Sequence, residues 1–206
     1  MTSLDSITLE VADTAAAERF YTEAFGLGDR LRLRASQEPT TGFRGFTLSL
    51  IVAQPADVHA LVDSAVAAGA TVLKPAAKSL WGYGGVVQVP DGTIWKVTTS
   101  AKKDTGPATG RVESIVLLLG VADIIASKRF YLDQDLAVAK SFARVYVEFD
   151  TGESPVKLAL YRRKALAKDA GVTHDGTGSH RITLGGGTFT DRDGFAWETS
   201  AMTARS

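Results

Sequence analysis

A strand-and-helix segment occurs twice in the sequence, and this repeat restricts the folds that the chain can adopt. Alternating apolar and polar residues over Ser6–Val11 predict a half-buried strand, and Asp13 is a favourable N-cap for a following helix. Residues 114–123 repeat that strand and its cap with two residues added. Arg-Phe-Tyr at residues 19–21 returns at 129–131, at the same distance from the capping aspartate. Two motifs repeated at one spacing indicate an internal duplication.

Two hairpins with a shared ending form a second repeat. Residues 91–95 and 193–197 both read Asp-Gly-x-x-Trp, and an Asp-Gly pair suits a tight turn between strands. The first hairpin continues with Lys96 and the second with Glu198. Neighbouring side chains on a strand point to opposite faces of the sheet. We therefore expect the two tryptophans to lie in the core and the lysine and glutamate to lie on cleft floors.

Helix and strand patterns divide the chain into units. Apolar periodicity predicts helices at residues 14–25, 55–68, 124–133 and, more briefly, 164–170. The order strand, helix, strand, strand, strand is predicted twice, over residues 46–99 and 111–162. The polar segment 101–110 contains proline and glycine and has no apolar period, so we interpret it as a linker. It would separate a first half at residues 1–100 from a second half at 111–206.

The composition restricts the partners and the compartment. With 206 residues, 45% of them hydrophobic, the chain can bury a substantial core. Its formal net charge is +0 and no long block of one sign occurs, so we expect neither nucleic acid nor a membrane as partner. The absence of cysteine excludes disulfides and thiolate zinc sites and fits a cytoplasmic protein. We expect no signal peptide, since the first residues lack a basic segment followed by an apolar run.

These repeats resemble the vicinal oxygen chelate superfamily, which includes glyoxalase I, bleomycin-resistance proteins and extradiol dioxygenases. The repeated Val-Ala-Asp and Arg-Phe-Tyr motifs and the ending Asp-Gly-x-x-Trp-Glu carry the resemblance. Trp-Gly-Tyr-Gly-Gly at residues 81–85, Leu-Ala-Leu-Tyr at 158–161 and the segment 165–172 are similar to its glyoxalase-like branch.

The resemblance implies an α+β fold in which paired βαβββ modules form curved, mostly antiparallel sheets around a cleft, with the helices outside. Residues 46–99 and 111–162 resemble complete modules, whereas residues 1–45 and 178–200 resemble truncated ones. We expect the two complete modules to close one barrel and the two end fragments to complete a second, reduced one.

Members of the superfamily with metal chemistry place ligands at the head of each module's first strand and near the end of its last strand. The resemblance puts those positions on Ser6, Lys96, Ser114 and Glu198. Two serines, a lysine and one carboxylate make a poor set, because a protonated lysine has no free lone pair and repels a cation. We therefore expect no metal and no other cofactor.

The three histidines do not improve this ligand set. His59 lies between the apolar positions of a predicted helix, and His174 lies in a predicted loop. His180 begins a strand and could reach Glu198, but one histidine and one glutamate do not make a metal site. A hydrogen bond from His180 to the backbone or to solvent is the simpler expectation.

The candidate ligand-binding residues are Trp81, Tyr83, Lys96, Tyr146, Tyr161 and Glu198. The first two lie in a glycine-rich segment that leaves an aromatic face open, and aromatic rings in a cleft suit a flat apolar ligand. Packing of these rings in the core is the alternative. The lysine could bind an anionic ligand, act as a base, face solvent or pair with the glutamate.

Three functions remain open. The first is a metal-free cleft that binds a small aromatic or apolar molecule, as bleomycin-resistance proteins do with their ligand. The second is an isomerase or lyase of the glyoxalase-like type that uses a divalent metal, an option based on the resemblance and Glu198. The third is a structural or interaction protein with a vestigial cleft. The sequence does not decide whether a reaction is catalysed, or whether the protein is a monomer or a homodimer.

Overall fold

Two large β-sheets of unequal size, joined by one apolar core, organise the fold, and a third sheet has only two short strands, at residues 40–42 and 176–178. The structure is a computed structural model that describes residues 4–79 and 82–199, apart from the side chain of Asp29. No helix in these residues is both long and apolar enough to cross a membrane.

The helices are α1 Thr14–Phe25, α2 Pro55–Ala67, α3 Ile124–Asp133 and α4 Arg163–Ala170, and a 3-10 turn covers Gly28–Arg30. The strands are β1 Ser6–Val11, β2 Arg32–Ala35, β3 Thr40–Gly42, β4 Phe46–Ile51, β5 Thr71–Ser79, β6 Gly82–Gln88, β7 Ile94–Thr99, β8 Ser114–Val121, β9 Val138–Phe142, β10 Tyr146–Phe149, β11 Val156–Arg162, β12 Gly176–Gly178, β13 Ile182–Gly185, β14 Phe189–Thr190 and β15 Ala196–Glu198. The predicted helix bounds differ from these by no more than one residue at either end.

The larger sheet unites the two units predicted to be complete. Its strand order is β5-β6-β7-β4-β8-β11-β10-β9. The first strands of the two units, β4 and β8, pair antiparallel at the centre, with Phe46 opposite Leu119 and Ile51 opposite Ser114. Within each unit the first strand runs parallel to the last, as β4 does with β7 and β8 with β11. The other pairs of this sheet are antiparallel, so the predicted α+β class with mostly antiparallel pairing is confirmed.

The larger sheet is not closed into a barrel, and the expectation of closure is wrong. Its edges are β5 and β9, which do not pair with each other. A barrel requires its first and last strands to hydrogen-bond. The β5 edge carries Lys74, Pro75 and Lys78 and has two register shifts against β6. Lysine, proline and irregular register all discourage further pairing at a sheet edge.

The smaller sheet is built from the two ends of the chain, as expected for the truncated fragments. Its strand order is β14-β15-β13-β1-β2. β1 and β13 pair antiparallel at the centre, with Ser6 opposite Gly185. β2, which carries Arg32 and Arg34, lies at one edge of this sheet and is largely exposed. This sheet is also open.

Helices α2 and α3 cover one face of the larger sheet, which we call the helix-covered face. Helix α1 packs beside α2 and contacts Trp95 of the same face through Tyr21. Leu61 and Val62 of α2 and Tyr131 of α3 belong to the same buried core as Leu48 and Trp95 of the sheet. This placement agrees with the predicted arrangement of helices outside the cleft.

The fourth helix lies on the opposite face, a position that was not predicted. Leu166 of α4 packs with Val86 and Ile94 of the larger sheet. Arg163 at the start of α4 donates a 2.7 Å hydrogen bond to the carbonyl of Phe43. Near its other end, Lys74 of β5 donates to the carbonyl of Lys168 at 2.7 Å. These bonds fix α4 over one end of this face.

A buried tyrosine attaches a helix to a hairpin in each half of the chain. Tyr21 of α1 donates a 2.6 Å hydrogen bond to Asp91 and accepts one from the indole of Trp95 at 3.4 Å. The same three residue types meet in the second half. Tyr131 of α3 donates to Asp191 at 2.6 Å and accepts from Trp197 at 3.4 Å. The repeated Arg-Phe-Tyr motif and the repeated hairpin are therefore in direct contact.

The two aspartates in these clusters do not occupy equivalent positions. Strand pairing puts Val87 opposite Trp95 and Phe189 opposite Trp197. Asp91 lies four residues after the first of these pairs, but Asp191 lies only two residues after the second. Burial raises the pKa of Asp191, although the hydrogen bond from the tyrosine acts in the opposite direction. The same contact is thus made in both halves, although the aspartate occupies a different sequence position in each hairpin.

The segment interpreted as a linker is bound along one helix. The side-chain oxygen of Gln54 accepts from the backbone of Thr105 and Gly106 at 2.7 and 3.1 Å. Asp57, in the first turn of α2, accepts from the backbone of Thr109 and Gly110 at 2.5 and 2.9 Å. Burial alone would raise the pKa of Asp57, but these hydrogen bonds outweigh it and lower that pKa. Residues 105–110 therefore pack as an ordered strap.

Replacing Tyr131 with phenylalanine will lower the free energy of unfolding by about 1–3 kcal/mol, because Oδ2 of the buried Asp191 loses the hydroxyl that donates to it. Equilibrium urea unfolding at pH 7 measures this difference. Tyr161→Phe is the matched control, since its ring lines an open cavity, and we expect it to change stability by less than about 0.5 kcal/mol. Equal stability of Tyr131→Phe and wild type would contradict the importance of this bond.

Protonation of Asp57 will lower the free energy of unfolding at pH values below about 3.9. Its folded pKa lies below its ordinary value, so its contribution is present above the unfolded pKa of about 3.9 and is lost as pH falls through the folded pKa. Urea unfolding between pH 7 and pH 3 should show wild type more stable than Asp57→Asn at pH 7, with the gap narrowing in acid. Asp63→Asn, an exposed change on the same helix, should leave the wild-type profile intact. A gap that stays constant with pH would refute this assignment.

Candidate functional site

An open cavity of about 830 Å³ lies on the face of the larger sheet that carries α4. Its lining residues are Ser49, Ile51, Lys96, Thr98, Val116, Leu118, Phe142, Ala143, Val145, Tyr146 and Tyr161. They come from both complete units, because the central strands β4 and β8 lie side by side. Most of the lining is apolar, and a cavity of this size and character suits a small organic molecule.

One row of residues crosses the floor of this cavity from strand to strand. Lys96 on β7 lies beside Ser49 on β4, which in turn lies opposite Val116 on β8. Trp95, the neighbour of the lysine, is fully buried on the helix-covered face. The expected alternation of tryptophan and lysine is therefore present at this hairpin, and the lysine lies on the cavity floor.

The lysine on the floor has its partner on α4. Its Nζ lies 2.8 Å from Oδ2 of Asp169, and the two side chains are 31% and 46% exposed. Ion pairs with this much solvent contact contribute little to stability. The pair can therefore open without a large loss of folding free energy.

Aromatic rings form the other end of the cavity. Tyr146 and Tyr161 make a T-shaped contact with ring centres 6.4 Å apart, and Phe142 lies 6.1 Å from Tyr146. The hydroxyl of Tyr146 donates to Glu148 at 2.9 Å. Burial and this carboxylate raise the pKa of Tyr146, so the phenol stays protonated and neutral. Phe142 and Val145 are 62% and 47% exposed at the rim of the cavity.

Three of the sequence-predicted binding residues thus lie together, whereas Tyr83 and Glu198 lie elsewhere. Tyr83 contacts α2, where its hydroxyl lies 2.7 Å from Nε2 of His59. Glu198 lies in the smaller sheet, where Arg34 holds it through two hydrogen bonds of 3.0 and 2.5 Å. That ion pair lowers the pKa of Glu198. Trp81 lies outside the described residues.

The four positions proposed from the resemblance as metal-ligand equivalents are divided between the two sheets. Ser6 and Glu198 share one row of the smaller sheet, with Gly185 between them. Ser114 lies on β8, two residues from the row that contains Lys96. In the larger sheet that row reads lysine, serine, valine and, on β11, the exposed Lys157. Such a set does not fit a divalent cation, because two ammonium groups repel it and valine offers no donor.

A metal site is not found elsewhere in the part of the chain that the structure describes. Within residues 4–79 and 82–199, no three histidine, aspartate or glutamate side chains lie close enough together to hold a metal ion. His180 does not contact Glu198. Its two ring nitrogens lie 2.6 and 3.0 Å from the carbonyls of Arg44 and Asp193. Backbone hydrogen bonding, the simpler expectation for this histidine, is what the structure shows.

Sequence reasoning missed most of the residues that line the cavity. Ser49, Thr98 and Val116 alternate with core residues along their strands, so periodicity could have placed them on one face. Phe142 and Val145 flank a tight turn in which Ala143 has a positive φ of 48°. An apolar pair beside such a turn carries no sequence signal that separates an exposed rim from a buried strand end.

Comparison with known structures shows the fold. A mutant of glyoxalase I from Zea mays matches with a TM-score of 0.56 and 14% identity, over 89% of this chain and 75% of that chain. Native glyoxalase I from Zea mays gives a TM-score of 0.55 at 14% identity, over 90% and 74% of the two chains. A glyoxalase/bleomycin resistance protein/dioxygenase family enzyme from Burkholderia phytofirmans PsJN matches over 48% of this chain and 98% of its own, at 21% identity and a TM-score of 0.43.

These identities establish a shared architecture and nothing finer. No protein-family model matches the sequence, and no curated protein matches it. The chain has the fold of glyoxalase I, which is the fold that the sequence resemblance predicted.

Proposed function

We propose that this protein, which has the fold of glyoxalase I, binds a small apolar or aromatic molecule in the cavity of its larger sheet and does so without a metal. The observation that carries this proposal is the lining itself. About 830 Å³ of space is bounded by aliphatic and aromatic side chains from two sheet units. Binding pockets for small organic molecules commonly combine such walls with a few polar groups that orient the ligand.

The polar groups of the proposed site are suited to binding. Lys96, Tyr146 and Tyr161 bring polar groups to the lining of a cavity that is otherwise largely apolar. The lysine row across the floor supplies no set of lone pairs that would keep a cation in place. Metal-dependent isomerase or lyase chemistry is the competing function, and it would need ligands that this row does not provide.

Filling the cavity will abolish binding of a neutral apolar probe. N-phenyl-1-naphthylamine becomes fluorescent in apolar surroundings, and we expect saturable binding by wild type. Val116→Trp places a large ring on the cavity floor and should weaken binding at least about tenfold, which corresponds to about 1.4 kcal/mol.

The matched control for this experiment lies in the other sheet. Ser6→Trp introduces the same side chain in the row of the smaller sheet that contains Glu198, and it should bind the probe like wild type. Equal weakening in both variants would point to a general loss of structure. Absence of any saturable binding by folded wild type would contradict the proposed function.

Lys96→Glu alone will not create a tight metal site, because the new carboxylate would have only that of Asp169 beside it, while Ser49 and Val116 supply no strong ligand. Titration of wild type and variant with zinc and with nickel, followed by calorimetry, measures this. Stoichiometric tight binding by the variant would show that further ligands reach the cavity. Stoichiometric metal in wild type purified without chelator would favour the metal-dependent alternative instead.

A further inference from the structure

One charged side chain lines the cavity, and its charge is positive; Lys157 shares the strand row but is not among the lining residues. Among its described lining residues, Lys96 is the ionisable cation, and no carboxylate is present. Its present partner, Asp169, belongs to α4 and does not line the cavity. A charge next to apolar walls is poorly hydrated, and a hydrogen-bonded counter-charge is the most favourable partner for it. The lining is therefore electrostatically matched to an anionic group at one end of an apolar body.

A second donor lies beside the lysine. Ser49 is paired with Lys96 in the strand register and lines the same cavity, with only 3% of its surface exposed. A carboxylate has two oxygens and can accept from an ammonium and a hydroxyl together. The rings of Tyr146 and Tyr161 lie at the aromatic end of the cavity and would contact the rest of such a ligand.

From this arrangement we infer that the ligand is an apolar or aromatic monocarboxylate whose acid group takes the place of Asp169 on Lys96. The inference rests on the proposed function and specifies the class of molecule that the same cavity selects. Asp169 serves as the partner of the lysine in the free protein. Because that ion pair is nearly half exposed on the aspartate side, it competes only weakly with an acid held inside the cavity.

The test compares one acid with its own amide. 2-Naphthoate and 2-naphthamide have the same rings and nearly the same size, but only the first carries a charge at pH 7. Isothermal titration of wild type should give an affinity about tenfold higher for the acid, as expected for a hydrogen bond to a charged group. Lys96→Met keeps the aliphatic stem and should bring the two affinities within about twofold of each other.

A second variant tests whether Asp169 competes with the acid group of the ligand for Lys96. Asp169→Asn removes the competing carboxylate and should raise the affinity for 2-naphthoate about threefold, with 2-naphthamide unchanged. Lys164→Met is the control, since this lysine is exposed on α4 and does not line the cavity. It should bind both molecules like wild type.

The outcomes separate this inference from the proposed function. Equal affinity of wild type for acid and amide would overturn the inference while leaving a ligand-binding cavity in place. Binding of neither molecule, together with no binding of N-phenyl-1-naphthylamine, would overturn both. Thermal unfolding shows whether Lys96→Met is folded, and if it is not, the Asp169→Asn comparison decides alone. An unchanged acid affinity in that variant would refute the exchange.

Discussion

Two hydrogen bonds from buried tyrosines to aspartates hold the architecture in place. Tyr21 and Tyr131 are almost completely inaccessible to solvent, and each joins a helix to the turn of a distant hairpin. Both aspartates keep a backbone donor on their other oxygen, so the cost of breaking either contact falls on the buried tyrosine hydroxyl and on one carboxylate oxygen, and this cost favours one docking position for each helix. The tryptophan beneath each tyrosine completes the contact and fills the core. Because the side chains alternate along the hairpin strand, burying Trp95 also fixes Lys96 on the opposite face. The position of the cavity floor therefore depends on a contact made on the other side of the sheet.

These contacts lie within the halves of the chain, whereas strand pairing crosses between them. Each tyrosine finds its hairpin on its own side of residues 101–110, but β4 pairs with β8 and β1 with β13. We keep the division into two halves as a proposal, with side-chain clusters defining the halves and the sheets joining them. The segment between them is held by Gln54 and Asp57. Its polar, glycine-containing sequence predicted a connection without regular structure, and it could not show that the side chains of Gln54 and Asp57, at the start of α2, would fix it.

Much of the fold was predictable because it depends on local periodicity. The helices and the order of strands follow from the spacing of apolar residues, and the repeat indicated which strands are equivalent. The cavity was less predictable because it depends on non-local pairing. Placing Lys96 beside Ser49 requires the register between β7 and β4, which no local pattern specifies. Glu198 has the same hairpin position as Lys96, yet it lies in the other sheet beside Arg34. The helix α4 has a recognisable apolar pattern, but its place on the cavity side depends on non-local contacts, among them the packing of Leu166 and the bonds of Arg163 and Lys74.

The two-residue offset between Asp91 and Asp191 has a consequence for folding. A chain with two similar halves can mispair, since the helix of one half offers nearly the same aromatic surface to the hairpin of the other. In the first hairpin Asp91 accepts from the tyrosine itself. In the second hairpin Asp191 takes that role, so Asp193, the sequence counterpart of Asp91, is left to accept from the backbone of Ala122 and the hydroxyl of Ser127 at the start of α3. The offset thus gives α3 an additional link to its own hairpin, and that link favours the correct pairing of helix and hairpin in a duplicated chain.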